Sequence, residues 1–182
     1  MSDEFTCKQK WIALDPKPFG ILSIIGSLHI IQHSQCSRQR RGSVHHRILL
    51  GLSAYDSLTS SVVFLGTWPF PKETPGVYLA SGNAPTCAAQ GFLMQFSVGT
   101  ALYNASLVMY YFLVVFRGWK ERQLRKMEPW LHVVPILFSL GTAVTAANKD
   151  LYRQSNMWCW IESSQTGFRF GFFRRPVWVL FF

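Results

Sequence analysis

The sequence predicts an all-α membrane protein, folded as a transmembrane helical bundle. Apolar residues make up 49% of the chain and charged residues only 15%, which is too apolar a balance for an ordinary soluble domain. The basic residues fall in short segments between apolar runs of about 20 residues, the length that crosses a hydrocarbon core about 30 Å thick. The net charge of +9 therefore indicates membrane-flanking loops and not nucleic-acid binding.

The apolar runs predict four spans and the start of a fifth within a single transmembrane domain, residues 1–182. The first covers about residues 11–31, where Asp15 and Lys17 interrupt the N-terminal half. Prolines are tolerated in the first turns of a helix, and lysine can extend to the headgroups. The later runs predict spans at about residues 48–68, 87–116 and 130–147, with a partial span at about 168–182.

Two basic segments set the expected orientation. The loop after the first span contains Arg38, Arg40, Arg41 and Arg47, and the loop after the third contains Arg117, Lys120, Arg122, Arg125 and Lys126. The loop between them has Lys72 as its one basic residue. By the positive-inside rule the two basic loops are cytoplasmic and the N-terminus is extracellular. We expect a multi-pass protein of the plasma membrane.

This topology places two cysteines on the outer face, where the compartment is oxidising and disulfides persist. Cys87 opens the third span, and Cys159 lies between two tryptophans in the segment "NMWCWIE". Cys36 lies in a cytoplasmic segment, whereas Cys7 is outside and remains a competing partner. We expect a bridge between Cys87 and Cys159, with Trp158 and Trp160 as interfacial rings that hold the loop over the helix ends.

Polar side chains recur inside the second and third spans. Asp56 lies about 12 Å into the second span by helical rise, where an unpaired charge is costly, so we expect it to face the bundle interior. Ser53 and Ser60 share its face, and a stripe on the third span comprises Gln90, Ser97, Thr100, Asn104 and Tyr111. The two stripes predict an internal polar seam. It would serve either as a functional cavity or switch, or only to hold the helices together.

Sequence motifs for catalysis are absent. The chain contains no HExxH, CxxC, P-loop or GxSxG motif, so we predict no enzyme, cofactor or metal site. His45 and His46 are adjacent and therefore project in different directions from a helix. Ser43 follows Arg40-Arg41-Gly42, a pattern that resembles the site of a basophilic kinase, and a phosphate there would oppose the basic loop.

Five segments together resemble the slime-mould cyclic-AMP-receptor-like group of seven-helix G-protein-coupled receptors, which is also close to the secretin-like profile. They are "SIIGSLHII" (23–31), "LGLSAYDSLTS" (50–60), "CAAQGFLMQF" (87–96), "YNASLVMYYFLVV" (103–115) and "WCWI" (158–161). The resemblance implies a ligand pocket near the outer face and coupling to a heterotrimeric G protein through the cytoplasmic loops. It also maps the bridge of the group to Cys87 and Cys159, and the acidic residue of its second span to Asp56.

The chain departs from receptor patterns in specific places. The third span is followed by "FRGWKE" and not by an Asp-Arg-Tyr triplet, and Arg174 and Arg175 interrupt the fifth apolar run. The resemblance extends over four spans and part of a fifth. We therefore expect a receptor-like signalling protein with an unknown extracellular ligand, and we expect the chain to be incomplete. The alternatives are a four-span structural or scaffold protein, or a small transporter subunit with Asp56 on an ion path.

Overall fold

The computed structural model describes residues 7–36, 42–155 and 157–162, together with residues 167 and 171. Six helices precede a two-stranded hairpin in this part of the chain. The helices are α1 (Cys7–Leu14), α2 (Pro16–Gln35), α3 (Val44–Leu65), α4 (Ala84–Phe96), α5 (Gly99–Val115) and α6 (Glu121–Asn148). The strands are β1 (Tyr152–Ser155) and β2 (Trp158–Ile161), which pair antiparallel with Gln154 opposite Cys159.

The predicted fold class is confirmed. Three helical stretches of the described chain are long and apolar enough to cross a membrane, namely Val44–Leu65, Ala84–Val115 and Glu121–Asn148. Large apolar side chains, such as Leu137 of α6 at 62% exposure, cover the outside of these helices. An outer surface of this kind is suited to lipid, because a bilayer does not penalise exposed apolar groups.

The first predicted span, residues 11–31, has different boundaries in the structure. Asp15 forms a turn between α1 and α2, and α2 continues to Gln35 with Pro16 in its first turn, where the missing N–H costs nothing. α2 runs antiparallel to α3 and packs closely against it, since a Cβ added at Gly20 would lie 3.2 Å from Phe64 Cβ. Ser60 Oγ donates a hydrogen bond to Ser23 Oγ at 2.7 Å across the same contact.

The third predicted span, residues 87–116, begins earlier and is interrupted. Asn83 and Thr86 form a reciprocal capping box that starts α4 at Ala84. A turn at Ser97 and Val98 then separates α4 from α5. Short-range bonds replace the helical ladder there, with Val98 N donating to Gln95 O at 3.2 Å. The Tyr55 ring of α3 presses against Gly99 at this turn, and a Cβ at Gly99 would overlap it.

The helix that contains the fourth predicted span, residues 130–147, begins well before it. The helix starts at Glu121, so Arg122, Arg125 and Lys126 lie on α6 and not in a loop. Charged residues of this kind are good helix formers even though they lower the hydropathy. Pro135 lies inside α6 and cannot donate to Leu131 O, and Ser106 Oγ of α5 donates to that carbonyl at 3.0 Å instead.

The core lies between α3, α5 and α6. Its buried side chains are Val44, Ile48, Leu52, Tyr55, Tyr103, Leu113, Leu124 and Leu131. A smaller cluster surrounds Cys87, Cys159 and Phe70 of the α3–α4 loop at the opposite end. The predicted fifth span, residues 168–182, lies outside the described residues apart from Gly171.

Candidate functional site

A disulfide joins the start of α4 to the β-hairpin, as the sequence predicted. Cys87 and Cys159 are bonded, with their Cα atoms 5.3 Å apart, and both side chains are buried. Cys7, the competing partner, is free and exposed, as is Cys36. The bridge closes a chain segment with a sequence separation of 72 and fixes the hairpin over one end of the bundle. We call this the disulfide end.

Two buried glutamines of α4 also hold the hairpin. Cys159 N donates to Gln90 Oε1 at 2.9 Å, and Gln90 Nε2 donates to Gly66 O at the end of α3 at 2.8 Å. Trp160 Nε1 donates to Gln95 Oε1 at 3.0 Å, and Gln95 Nε2 reaches Thr142 Oγ1 of α6 at 3.2 Å. Each amide therefore satisfies groups from two other elements inside an apolar bundle. The Trp160 indole is thus held by a specific bond as well as by its apolar ring.

The hairpin packs onto α4 through Tyr152 of β1. A Cβ at Gly91 would lie 2.7 Å from the Tyr152 ring, so only glycine permits this approach. Tyr152 Oη donates to Ala143 O of α6 at 2.8 Å. Burial raises the pKa of the Tyr152 phenol, so the hydroxyl stays protonated and remains a donor at physiological pH.

A pocket of about 800 Å³ lies beside the hairpin, along one face of α4 and α5. It extends from the hairpin to Tyr111, over about 20 Å of helix by helical rise. Its lining residues are Thr59, Met94, Ser97, Val98, Thr100, Ala101, Asn104, Leu107, Val108, Tyr111, Trp158 and Trp160. The lining is mostly apolar, with a few hydroxyl groups and the amide of Asn104, and the volume suits a small organic ligand.

The predicted polar stripe of the third span divides between the pocket and the hairpin contact. Ser97, Thr100, Asn104 and Tyr111 line the pocket, whereas Gln90 is buried beneath the hairpin. The turn between α4 and α5 lies within this lining, at Ser97 and Val98.

The predicted stripe of the second span does not join that of the third in one seam. Ser60 bonds to Ser23 of α2 and Ser53 is buried, so both lie away from the pocket. Thr59 carries the contact between the helices, with its Oγ1 3.3 Å from Thr100 Oγ1. Asp56 is half-buried, and no hydrogen bond or ion pair forms between it and any other described residue.

Charged side chains link α3 to α6 at the opposite end, which we call the basic end. Arg47 of α3 forms a bidentate ion pair with Glu128 of α6. Glu121 Oε1 accepts the N–H of Val44 at 2.9 Å and so caps the start of α3. Arg125 Nη2 donates to Gly42 O at 2.8 Å. The sequence predicts Arg47 and Arg125 in cytoplasmic coupling loops. In the structure Arg47 lies on α3 and Arg125 on α6, and both bond to residues of other elements or segments.

The remaining cations of the predicted coupling loops are of two kinds. Arg117, Lys120, Arg122 and Lys126 are exposed, whereas Arg38, Arg40 and Arg41 lie outside the described residues. Ser43, the predicted phosphorylation site, is the half-buried N-cap residue of α3 and makes no side-chain cap bond.

A chain of ring and hydroxyl contacts runs from the pocket turn toward the basic end. The Tyr55 ring touches Gly99, and its hydroxyl is 3.0 Å from Ser139 Oγ of α6. The centroids of Tyr55 and Tyr103 are 5.3 Å apart, and Tyr103 Oη bonds to His132 Nδ1 at 3.1 Å. His132 Nε2 lies 3.9 Å from Glu128 Oε1, which completes the connection to the Arg47 ion pair.

Together the apolar helices, the disulfide-fixed hairpin and the pocket beside it define a multi-pass helical membrane protein of receptor type. Residues 84–182, more than half of the chain, match the family model of the slime mold cyclic AMP receptor. The chain belongs to this receptor family. A search of curated proteins finds no match.

Gln95 holds the hairpin from inside the bundle but was not among the residues predicted for the site. It lies five positions after Gln90, off the predicted stripe, and its partners come from β2 and α6. The sequence carried one signal for Gln95, because an amide side chain inside a span without charged residues requires hydrogen-bond partners. The identity of those partners depends on tertiary structure.

Proposed function

We propose that this chain carries the ligand-binding and part of the signalling machinery of a G-protein-coupled receptor, and that it is not an enzyme. The observation that carries the proposal is the pocket, because it starts at the disulfide-fixed hairpin and its lining includes the turn that interrupts the third span. A ligand seated there would touch Ser97 and Val98 at that turn. The family name makes cyclic AMP the first extracellular ligand to test.

The proposed orientation has the N-terminus and the disulfide end outside, and the basic end in the cytoplasm of a cell with this protein in its plasma membrane. Loop charge and the need for an oxidising compartment around the bridge both support it. We also propose that α2 spans the membrane as the first of four spans. Its face away from α3 exposes Phe19, Leu22 and Ile25, each more than half accessible, as lipid contact requires.

Signal transfer in this proposal follows the contacts between Gly99, Tyr55 and Tyr103. A ligand that favours a second arrangement of the α4–α5 turn would shift Tyr55, and the packed rings would pass the shift to His132 and Glu128. Separation of α3 from α6 would then expose a site for a heterotrimeric G protein at the basic end. The transporter alternative gains less support, since Asp56 is not among the described residues that line the pocket.

The experiment expresses the chain in cells and measures the binding of labelled cyclic AMP that is added outside. Ala101→Trp fills the pocket, and Val133→Trp adds the same ring to an exposed face of α6. We expect cyclic AMP to bind to the parent and to Val133→Trp, and not to Ala101→Trp. Equal binding to all three proteins would contradict the pocket assignment, and no binding of cyclic AMP to the parent would contradict that choice of ligand.

A further inference from the structure

The exposed face of α6 changes its chemistry along the helix. From the N-terminus it presents Arg122, Lys126, Trp130, Val133 and Leu137, all of them exposed. Steps of three and four residues place these side chains on one face. The face therefore passes from cationic through aromatic to aliphatic, which is the order met on going from lipid headgroups into hydrocarbon.

Trp130 sets the depth of this face in a bilayer, because indole rings prefer the interface. Lys126 and Arg122 lie one and two turns nearer the N-terminus, about 6 and 12 Å further along the axis. The end of α5 shows the same change within one step, since Phe116 is 77% exposed and the next residue is the exposed Arg117. Both helices therefore place their first cations at headgroup level.

The acids at the basic end do not neutralise these cations. Glu121 caps Val44 and lies 3.9 Å from Arg125 Nε, and Glu128 is held by Arg47. Within the described part of the chain, no ion pair involves the four exposed cations, Arg117, Lys120, Arg122 and Lys126. We call these four residues the basic rim.

We propose that the basic rim binds the headgroup of a multiply phosphorylated inositol phospholipid in the adjacent leaflet. Several cations around one headgroup match several phosphates, and each lysine or arginine at a membrane surface attracts anionic lipid by about 1 kcal/mol. The lipid is favoured over a protein partner because the rim continues the lipid-facing stripe of Trp130, Val133 and Leu137, which brings the bilayer surface to the rim itself. The proposal does not depend on the nature of the receptor ligand.

The test uses the purified full chain in phosphatidylcholine nanodiscs that contain phosphatidylinositol 4,5-bisphosphate at increasing mole fraction. Native mass spectrometry counts the bound anionic lipids for the parent, for Arg122→Gln with Lys126→Gln, and for a control with Lys72→Gln and Arg153→Gln. The control removes the same charge at the disulfide end. We expect the rim variant to lose about 25-fold in apparent affinity, from about five-fold for each cation, and the control to change by less than about two-fold.

Three results would overturn the proposal. One is a parent protein with no preference for the inositol lipid over phosphatidylcholine, and another is an equal loss in the control variant. The third is a rim variant that keeps its lipid but no longer binds a G protein, which would make the rim a protein-docking surface. Both substituted side chains are exposed, so the fold should persist, and thermal unfolding in pure phosphatidylcholine checks this.

A measurement on the parent alone also decides the matter, should the double variant not fold. Binding to the rim is electrostatic and lies at the membrane surface, so it should weaken as the salt concentration rises from about 0.05 to about 0.5 M, over which the Debye length falls from about 14 to about 4 Å. Lipid binding that is indifferent to salt would refute the proposal.

Discussion

The two ends of the bundle are held together by different chemistry. At the disulfide end, a covalent bond and the neutral amides of Gln90 and Gln95 tie the hairpin to three helices. At the basic end, the ion pair of Arg47 with Glu128 connects α3 to α6, with 33% and 15% of the two side chains exposed. Bonds of the first kind do not respond to salt, whereas a partly exposed ion pair is screened and can exchange with water.

The difference fits the proposed mechanism, in which one end stays fixed while the other end opens. A bundle that is fixed at one end, where the disulfide joins α4 to the hairpin, can open at the other by small rotations of its helices, which is a common form of receptor transition. The rings of Tyr55 and Tyr103 lie between the ends, with centroids 5.3 Å apart, in the place where such a rotation would be transmitted. Substitutions can weaken each part of this arrangement in turn.

Loss of the disulfide should have the largest effect. Cys87→Ser with Cys159→Ser frees a segment with a sequence separation of 72, and removal of a native bridge costs roughly 2–5 kcal/mol. We expect low surface expression and a lower unfolding temperature in nanodiscs, and a reductant should have the same effect on the parent. Cys36→Ser is the control, because Cys36 is free and exposed. A stable, fully expressed double variant would show that the amides alone can hold the hairpin.

Gly99→Ala should have the next largest effect, at the turn between the two ends. Its Cβ would overlap the Tyr55 ring, and overpacking of this kind costs about 1–3 kcal/mol. Gly141→Ala is the matched control, since nothing lies within 4 Å of its added Cβ and α6 gains a better helix former there. Gly99→Ala should therefore unfold at a clearly lower temperature than Gly141→Ala. Equal behaviour would mean that Tyr55 can move aside freely and does not press on the turn.

Separation of Arg47 from Glu128 should have a moderate effect that depends on salt. A double-mutant cycle with Arg47→Gln and Glu128→Gln should give a coupling energy of about 1 kcal/mol in low salt. The coupling is this small because one-third of the Arg47 side chain is exposed to water, which screens the pair. The coupling should shrink at about 1 M salt, where the Debye length is about 3 Å. The same salt change should leave the effect of the cysteine substitutions unaltered. A coupling that is independent of salt would remove the contrast between the two ends.

Hydropathy predicted the parts of the fold that depend on local composition. The apolar cores of α3, α4–α5 and α6 were identified, and the expected topology led to the pairing of Cys87 with Cys159. The start of α6 at Glu121 was missed because charged helix formers lower hydropathy and favour a helix at the same time.

Features that depend on distant partners could not be read from the sequence. The turn at Ser97 and Val98 is accompanied by the Tyr55 ring against Gly99, a contact between two different helices. Arg47 was predicted in a cytoplasmic coupling loop, and its ion-pair partner Glu128 lies 81 positions away along the chain, so the sequence does not reveal the pair. The stripe predicted on the third span, Gln90, Ser97, Thr100, Asn104 and Tyr111, is divided between the pocket and the hairpin contact, and this division follows from the packing of β2.

The smallest effect on stability is expected at an ion pair that takes no part in the main connections of either end of the bundle. Asp150 follows α6 in a left-handed conformation (φ 50°), and Arg153 donates to its carboxylate at 2.8 Å. This hydrogen bond, reinforced by the charge of Arg153, holds the pKa of Asp150 below its usual range. A carboxyl whose folded pKa is lowered stabilises the fold above its unfolded pKa, and the contribution is lost as the pH falls through the folded pKa. Asp150→Asn keeps a side chain that tolerates the left-handed region and removes only the charge.

Because Asp150 is fully exposed, the variant should differ from the parent by at most about 1 °C in unfolding temperature at pH 7. The difference should shrink as the pH falls below the usual range of an aspartate, about 4, and vanish below the lowered pKa of Asp150, where both proteins carry a neutral group at position 150. Thermal unfolding in nanodiscs from pH 7 down to about pH 2 measures it. A gap of several degrees at pH 7 would show that this exposed pair stabilises the hairpin as strongly as the buried amides do, and the disulfide end would then share the ionic character of the basic end.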